Sequence, residues 1–186
     1  MPTFYRTLII VSLISVMAGC AQTSRSKLAP PDDSKSVDAG FAYGYIETQN
    51  EVIERIDLIE YGKVYVPPFT IPPRVLVYEN GMFMAENLKP GKYIISGIRS
   101  ERNHYNLARN KRQAYQKIFI IEPGEMEYLG SYHLRVIEKG QLDFGELKMR
   151  ELQRPGERDV LKELFHLTEG TIWQDKIARR LKQLRQ

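Results

Sequence analysis

The chain has 186 residues, with 27 Lys and Arg against 23 Asp and Glu for a formal net charge of +4, and it carries one cysteine. This length supplies enough chain for one domain with its own core. A single thiol excludes an intrachain disulfide and a thiolate metal centre, so packing alone must hold the fold.

In chain order, the first segment places Arg6 ahead of an apolar run from Leu8 to Ala18, followed by Gly19 and Cys20. Charge, apolar core and small residues in that order are the pattern of an export signal. The run is about 11 residues long, and a helix crossing a bilayer needs roughly 20, so a removable signal is expected rather than a permanent span. Met17-Ala18-Gly19-Cys20 resembles the lipobox of bacterial lipoproteins, with Met17 where that family usually has Leu. The resemblance implies cleavage between Gly19 and Cys20, with a diacylglycerol and an N-acyl lipid on Cys20 and no other cofactor. Each buried lipid methylene contributes about 0.8 kcal/mol, so two or three acyl chains would fix the protein to a membrane. In that family an Asp after the cysteine favours inner-membrane retention. Ala21 therefore implies the outer membrane, with the body facing the periplasm.

Residues 1–19 are thus expected to be the signal peptide and 20–39 a tether. The stretch "AQTSRSKLAPPDDSKSVDA" is rich in Ser, Pro, Asp and Lys and cannot bury enough apolar surface to offset chain entropy. At ~18 residues it would reach about 25 Å as a flexible chain.

From Gly40 the pattern becomes short apolar runs between turn residues, expected to form a β domain over 40–150. Strands are predicted at Phe41–Glu47, Val52–Glu60, Lys63–Val66, Val75–Glu79, Met82–Glu86, Tyr93–Ile98, Lys117–Ile121, Met126–Ile137 and Gln141–Arg150. Asn80-Gly81 signals a two-residue hairpin of type I′, with positive φ at both positions. Pro90-Gly91 and Pro123-Gly124 predict turns in which Pro presets the first central φ and Gly supplies a positive second one. Pro67-Pro68 and Pro72-Pro73 exclude a central strand between them. Strands spaced this regularly argue for an antiparallel β-sandwich or barrel. The stretches "GMFMAENLKPGKYIISGI" and "IFIIEPGEMEYLGSYHL" resemble the carboxypeptidase-regulatory or transthyretin-like β-sandwich, over about 100 residues from Gly40 to Glu138. That resemblance implies a mainly β, transthyretin-like sandwich with Phe83, Leu88 and Tyr93 in its core, and implies little about activity.

Residues 151–186 are expected to be a helical extension. Val160, Leu161, Leu164 and Phe165 fall at helical spacing, as do Trp173, Ile177, Leu181 and Leu184. Gly170 suits the C′ position of the first helix, and Thr171 with Gln174 a capping box for the second. Helices this short are marginal alone and need a surface to cover.

The chain has no Gly-x-Ser-x-Gly elbow, His-Glu-x-x-His helix, phosphate loop or dinucleotide glycine pattern. His104, His133 and His166 fall on a predicted loop, strand and helix, without metal-site spacing. Two basic stretches stand out. Arg99, Arg102, Arg109, Lys111 and Arg112 are interleaved with Tyr105 and Tyr115, and Lys176, Arg179, Arg180 and Lys182 occupy the arc of the last helix opposite its apolar stripe. The plainer reading of both is a solvated face, helped in the second case by the helix dipole. The functional reading is a surface for an anionic glycan, a lipid headgroup or an acidic envelope protein. Export removes the case for nucleic acid. A non-catalytic binding or accessory subunit of the bacterial cell envelope is the leading expectation. The alternative is a hydrolase acting on envelope glycan or lipid through a pair of carboxylates assembled by folding.

Overall fold

The computed structural model describes residues 36–49, 51–63, 73–101, 103–107, 117–139 and 143–185. The signal, Cys20, most of the tether, the predicted strand at 64–66 and the first three of the paired prolines lie outside the described residues. The fold is mainly β, with strands β1 (Gly40–Gln49), β2 (Ile53–Glu60), β3 (Arg74–Val77), β4 (Met82–Leu88), β5 (Gly91–Ser100), β6 (His104–Asn106), β7 (Phe119–Ile121), β8 (Met126–Lys139) and β9 (Asp143–Glu151). Helices α1 (Glu157–Leu167) and α2 (Ile172–Gln183) follow.

All nine strands join one sheet in the order β6-β5-β2-β3-β4-β1-β8-β9, with β7 also on β5. β6 and β7 share the outer edge of β5, at Gly97–Arg99 and Gly91–Tyr93 respectively. A turn then carries β7 into β8, and Phe41 at the start of β1 donates its N–H to the Glu125 carbonyl at 3.0 Å. The sheet therefore curls back on itself and is nearly barrel-like. Every pairing is antiparallel except β1 with β8, whose crossover is the whole intervening β2–β7 segment.

Strand alternation divides the buried residues into two clusters. Ala42, Ile46, Ile56, Leu58, Phe83, Ala85, Tyr93, Ile98 and Leu134 fill the concave interior. Phe41, Tyr43, Met82 and Met84 point the other way and meet Val160, Leu161, Leu164, Trp173 and Ile177 of the helices. Side chains of opposite parity on β1 and β4 thus serve different cores. In β8 a bulge between Tyr128 and Gly130 resets the parity, so that Tyr128 faces the helices while Leu129, Tyr132 and Leu134 face inward. The expected cores at Phe83, Leu88 and Tyr93 are present, and the Tyr93 hydroxyl donates to the Lys89 carbonyl at 2.8 Å, pinning the entry to β5.

The turns differ from expectation in detail. Gly81 N–H donates to the Tyr78 carbonyl and Tyr78 N–H to the Met82 carbonyl, and only Gly81 is left-handed, at φ 81°. This is a type I turn closed by a glycine bulge, in which Asn80 keeps negative φ and accepts from Met82 N–H at 3.1 Å, instead of type I′. Gly91 opens β5, paired with Ile121, with φ 157°, rather than sitting at the centre of a reverse turn. Pro123-Gly124 forms the expected turn, with Glu125 N–H on the Glu122 carbonyl at 3.1 Å and Gly124 at φ 66°. In the helical segment Gly156 caps α1, and its N–H donates to Asp159 at 3.3 Å. Thr168 is the C-cap of α1, so Gly170, at φ 78°, lies one position beyond C′. Thr171 caps α2 through Trp173 N–H, while the Gln174 side chain reaches Gly170 N–H instead of closing the box on Thr171.

A Cβ at Gly124 would stand 2.8 Å from the Val37 carbonyl oxygen, whereas one at Gly62, also at positive φ, would meet nothing within 4 Å. Gly124→Ala is expected to cost about 1–3 kcal/mol and Gly62→Ala less, read from urea midpoints. Trp173 is fully buried, with its ring 5.0 Å from that of Phe41. Trp173→Ala is expected to cost about 3–5 kcal/mol, and a change below about 1 kcal/mol would mean the helices do not pack on β1.

Candidate functional site: an acidic notch in the sheet

The sheet has a gap at one end. β4 accompanies β1 only as far as the pair Tyr45↔Met82, and the last bond across is Ile46 N–H to the Gly81 carbonyl at 2.7 Å. β1 continues through Glu47, Thr48 and Gln49 beside β8 alone. On the opposite wall β2 begins at Ile53 against β5, but β3 joins it only from Arg55, opposite Leu76. The β3–β4 hairpin stops short, because Gly81 turns the chain before it reaches the ends of its neighbours. A cavity of about 550 Å³ occupies the space.

Ile46, Ile53 and Val77 supply apolar floor, and Tyr45 and Tyr78 add two rings. Glu47, Glu54, Glu79 and Glu101 stand around it, and among the described residues no Lys, Arg or His lines it. In a chain of net charge +4 this is a local reversal of sign, and carboxylates along a concave surface focus a negative potential there. Glu47 lies 3.1 Å from His133 Nδ1, whereas Glu54, Glu79 and Glu101 form no ion pair with another described residue. The wall is braced by Glu51, which accepts from the Tyr105 hydroxyl at 2.7 Å, from Asn103 at 3.4 Å and from the Ser100 hydroxyl. The β1–β2 connection is thereby tied to the β5–β6 hairpin.

That hairpin revises the reading of the first basic stretch. His104–Asn106 is a strand rather than a loop, and Tyr105 is buried in the interior with its hydroxyl engaged by Glu51, so its ring is not available to a ligand. Arg99 is exposed on β5; Arg102, Arg109, Lys111, Arg112 and Tyr115 lie outside the described residues. His104 Nε2 is 3.2 Å from the buried Asp57, and Arg55 Nε is 2.8 Å from the same carboxylate, close enough for an ion pair but off the line of a hydrogen bond. Arg55 offsets the charge of this carboxylate, while Asp57 Oδ1 and Arg55 Nε make no hydrogen bond among the described residues. Among the described residues no group of three or more His, Cys, Asp or Glu is placed to hold a metal ion, and no helix is long and apolar enough to cross a membrane.

The basic arc of α2 separates into two kinds of residue. Lys176 donates to the Gly124 carbonyl and lies 5.0 Å from the centre of the Trp173 ring. Arg180 grips Glu157 at both oxygens, at 2.7 and 3.1 Å, and the Tyr43 hydroxyl donates to the same carboxylate at 2.9 Å. These two cations bind the helix to the body; Arg179, Arg180 and Lys182 are exposed as expected of the arc, Arg180 while paired with Glu157, and Lys176 is only half-exposed. The stripe of Trp173, Ile177, Leu181 and Leu184 packs as expected, with the first two fully buried. No protein-family model matches the chain, and no curated protein shows significant similarity to it.

Burial, reinforced by Glu157, pushes the Tyr43 phenol well above the usual tyrosine range, and burial with Glu151 does the same to Tyr132. Tyrosines in the unfolded chain ionise near pH 10, so above about that pH the unfolded state loses protons that the native state keeps, and stability must fall as pH rises. Urea midpoints are expected to be level from about pH 7 to 9 and to drop beyond about pH 10, with a shallower drop in Tyr43→Phe. A flat profile through about pH 11 would mean these phenols are not buried.

Proposed function

We propose that this protein is a lipid-anchored lipoprotein of the bacterial cell envelope, held at the periplasmic face of the outer membrane, that acts as a non-catalytic binding or accessory subunit. The acidic notch carries the binding half of this reading, because it combines shape, apolar floor and one sign of charge. The lipobox-like Met17-Ala18-Gly19-Cys20 carries the anchoring half. The positions of the two ends agree with it. Chain enters β1 at Gly40, where Gly124 N–H holds the Asp38 carbonyl at 3.1 Å beside Lys176. The notch lies at the other end of the same 10-residue strand, a rise of about 30 Å. An anchored chain would hold its basic helix near the lipid and its notch away from it.

The fold is further proposed to be a carboxypeptidase-regulatory or transthyretin-like sandwich, supported by the buried Leu88 and Tyr93 around Pro90-Gly91 and by the Tyr93 hydroxyl bond to Lys89. Arg99, Arg179, Arg180 and Lys182, all exposed, are the described members of the proposed surface for anionic glycan, lipid or acidic protein, with Arg180 already paired to Glu157. The rim carboxylates favour a second reading, an envelope glycan or lipid hydrolase, which purified protein would reveal by releasing soluble fragments from sacculi or lipid.

In cells fed labelled palmitate, the parent protein is expected to take up label and its Cys20→Ser variant to take up none and to accumulate as uncleaved precursor. Equal labelling of the two would end the lipoprotein reading.

A further inference from the structure

We infer that the notch is a strand-addition site that accepts an extended, Lys- or Arg-rich segment of a partner protein. This deepens the binding-module reading above and does not depend on the lipid anchor. Three observations meet in the notch. The first is backbone: β1 beyond Ile46 and β2 before Arg55 have each outrun the strand that pairs with them elsewhere. A strand edge without a neighbour presents N–H and C=O groups to whatever lies beside it, and extended peptides bind proteins by completing such ladders. The second is space. Two strands, β3 and β4, separate β1 from β2 in the sheet; at about 4.8 Å per strand interval their early end leaves a slot about 14 Å wide, and the β1 edge along it, Glu47, Thr48 and Gln49, is about 10 Å long, so about three residues of an added segment can pair there before Val52 leads the chain into β2.

The third is chemistry. A strand laid in the slot alternates its side chains between the two faces of the sheet. The apolar floor of Ile53 and Val77 suits small apolar side chains on one face, while Leu76, 48% exposed, lies on the other. Glu54, Glu79 and Glu101 suit cations on the other or at the strand's ends. The same carboxylates disfavour a second copy of this edge, since like charges would then be brought together. Charge thus selects among strands that the backbone alone would admit, and an acidic segment is rejected.

The test uses purified full-length protein in a non-ionic detergent and the anisotropy of labelled ten-residue peptides. The probes are an alternating Lys-Val peptide, its Glu-Val counterpart, and the Lys-Val peptide N-methylated at alternate amides to block one edge. Lys-Val is expected to bind saturably and more weakly as salt rises, Glu-Val not to bind, and the N-methylated peptide to bind at least about tenfold more weakly. Glu54→Lys combined with Glu79→Lys, both on exposed side chains, is expected to weaken Lys-Val binding about tenfold with melting unchanged. Absence of Lys-Val binding, equal binding of the N-methylated peptide, or indifference to the double reversal would each overturn the inference. Cys20→Ser protein serves equally in this assay. A failed palmitate experiment therefore removes the envelope reading and leaves the notch standing, and a failed peptide experiment does the reverse.

Discussion

A strand covered on both faces can present a charge to neither, and β1 from Gly40 to Ile46 is such a strand. Its seven residues are Gly, Phe, Ala, Tyr, Gly, Tyr and Ile. Ala42 and Ile46 go to the concave interior, while Phe41 and Tyr43 go beneath the helices. Hydrogen bonds to β4 on one side and β8 on the other complete its surroundings. The curl of the sheet, the docking of α1 and α2, and the seam between β7 and β8 all refer to this strand. The Tyr43 hydroxyl that it sends toward the helices is met by Glu157, which Arg180 holds in turn. A buried phenol and a half-screened carboxylate would each be costly unpaired; the carboxylate satisfies the phenol and Arg180 satisfies the carboxylate.

The same strand explains where binding chemistry can appear. Burial ends after Ile46, and Glu47, Thr48 and Gln49 are exposed because β4 has already turned away at Gly81. Apolar positions give way to carboxylates at the point where the ladder loses its second neighbour. Positive charge is carried elsewhere, with Arg179 and Lys182 exposed on α2. Charges of opposite sign on separate surfaces shape the field that a charged partner meets.

Periodicity and turn residues made most of the strands legible, because alternation and Gly or Pro at special φ are local properties. The helices were legible for the same reason, since Trp173, Ile177, Leu181 and Leu184 mark one face whatever they pack against. β6 was missed because three residues with only Tyr105 buried carry too little pattern, and its polar neighbours read as loop. The type of turn at Asn80-Gly81 was misread because two residues do not say whether the first takes positive φ; the closure of the hairpin decides it. Arg180 and Lys176 looked like members of a solvated arc, since nothing in their own helix reveals that Glu157 and the Gly124 carbonyl are waiting across the interface.

The notch had no counterpart in the sequence reading. Glu47, Glu54, Glu79 and Glu101 are spread over more than 50 positions, without the spacing of any motif. They gather because the register of β1 against β4 and of β2 against β3 ends two of the strands early, and register depends on long-range pairing. By itself the sequence determined the alternation of strands and the apolar stripes of the helices, both set by residues within a few positions of one another. Only the tertiary structure decided that the sheet curls through a parallel β1–β8 pairing, which cations are spent on packing, and where four carboxylates meet, because each of these depends on contacts between residues that the chain places far apart.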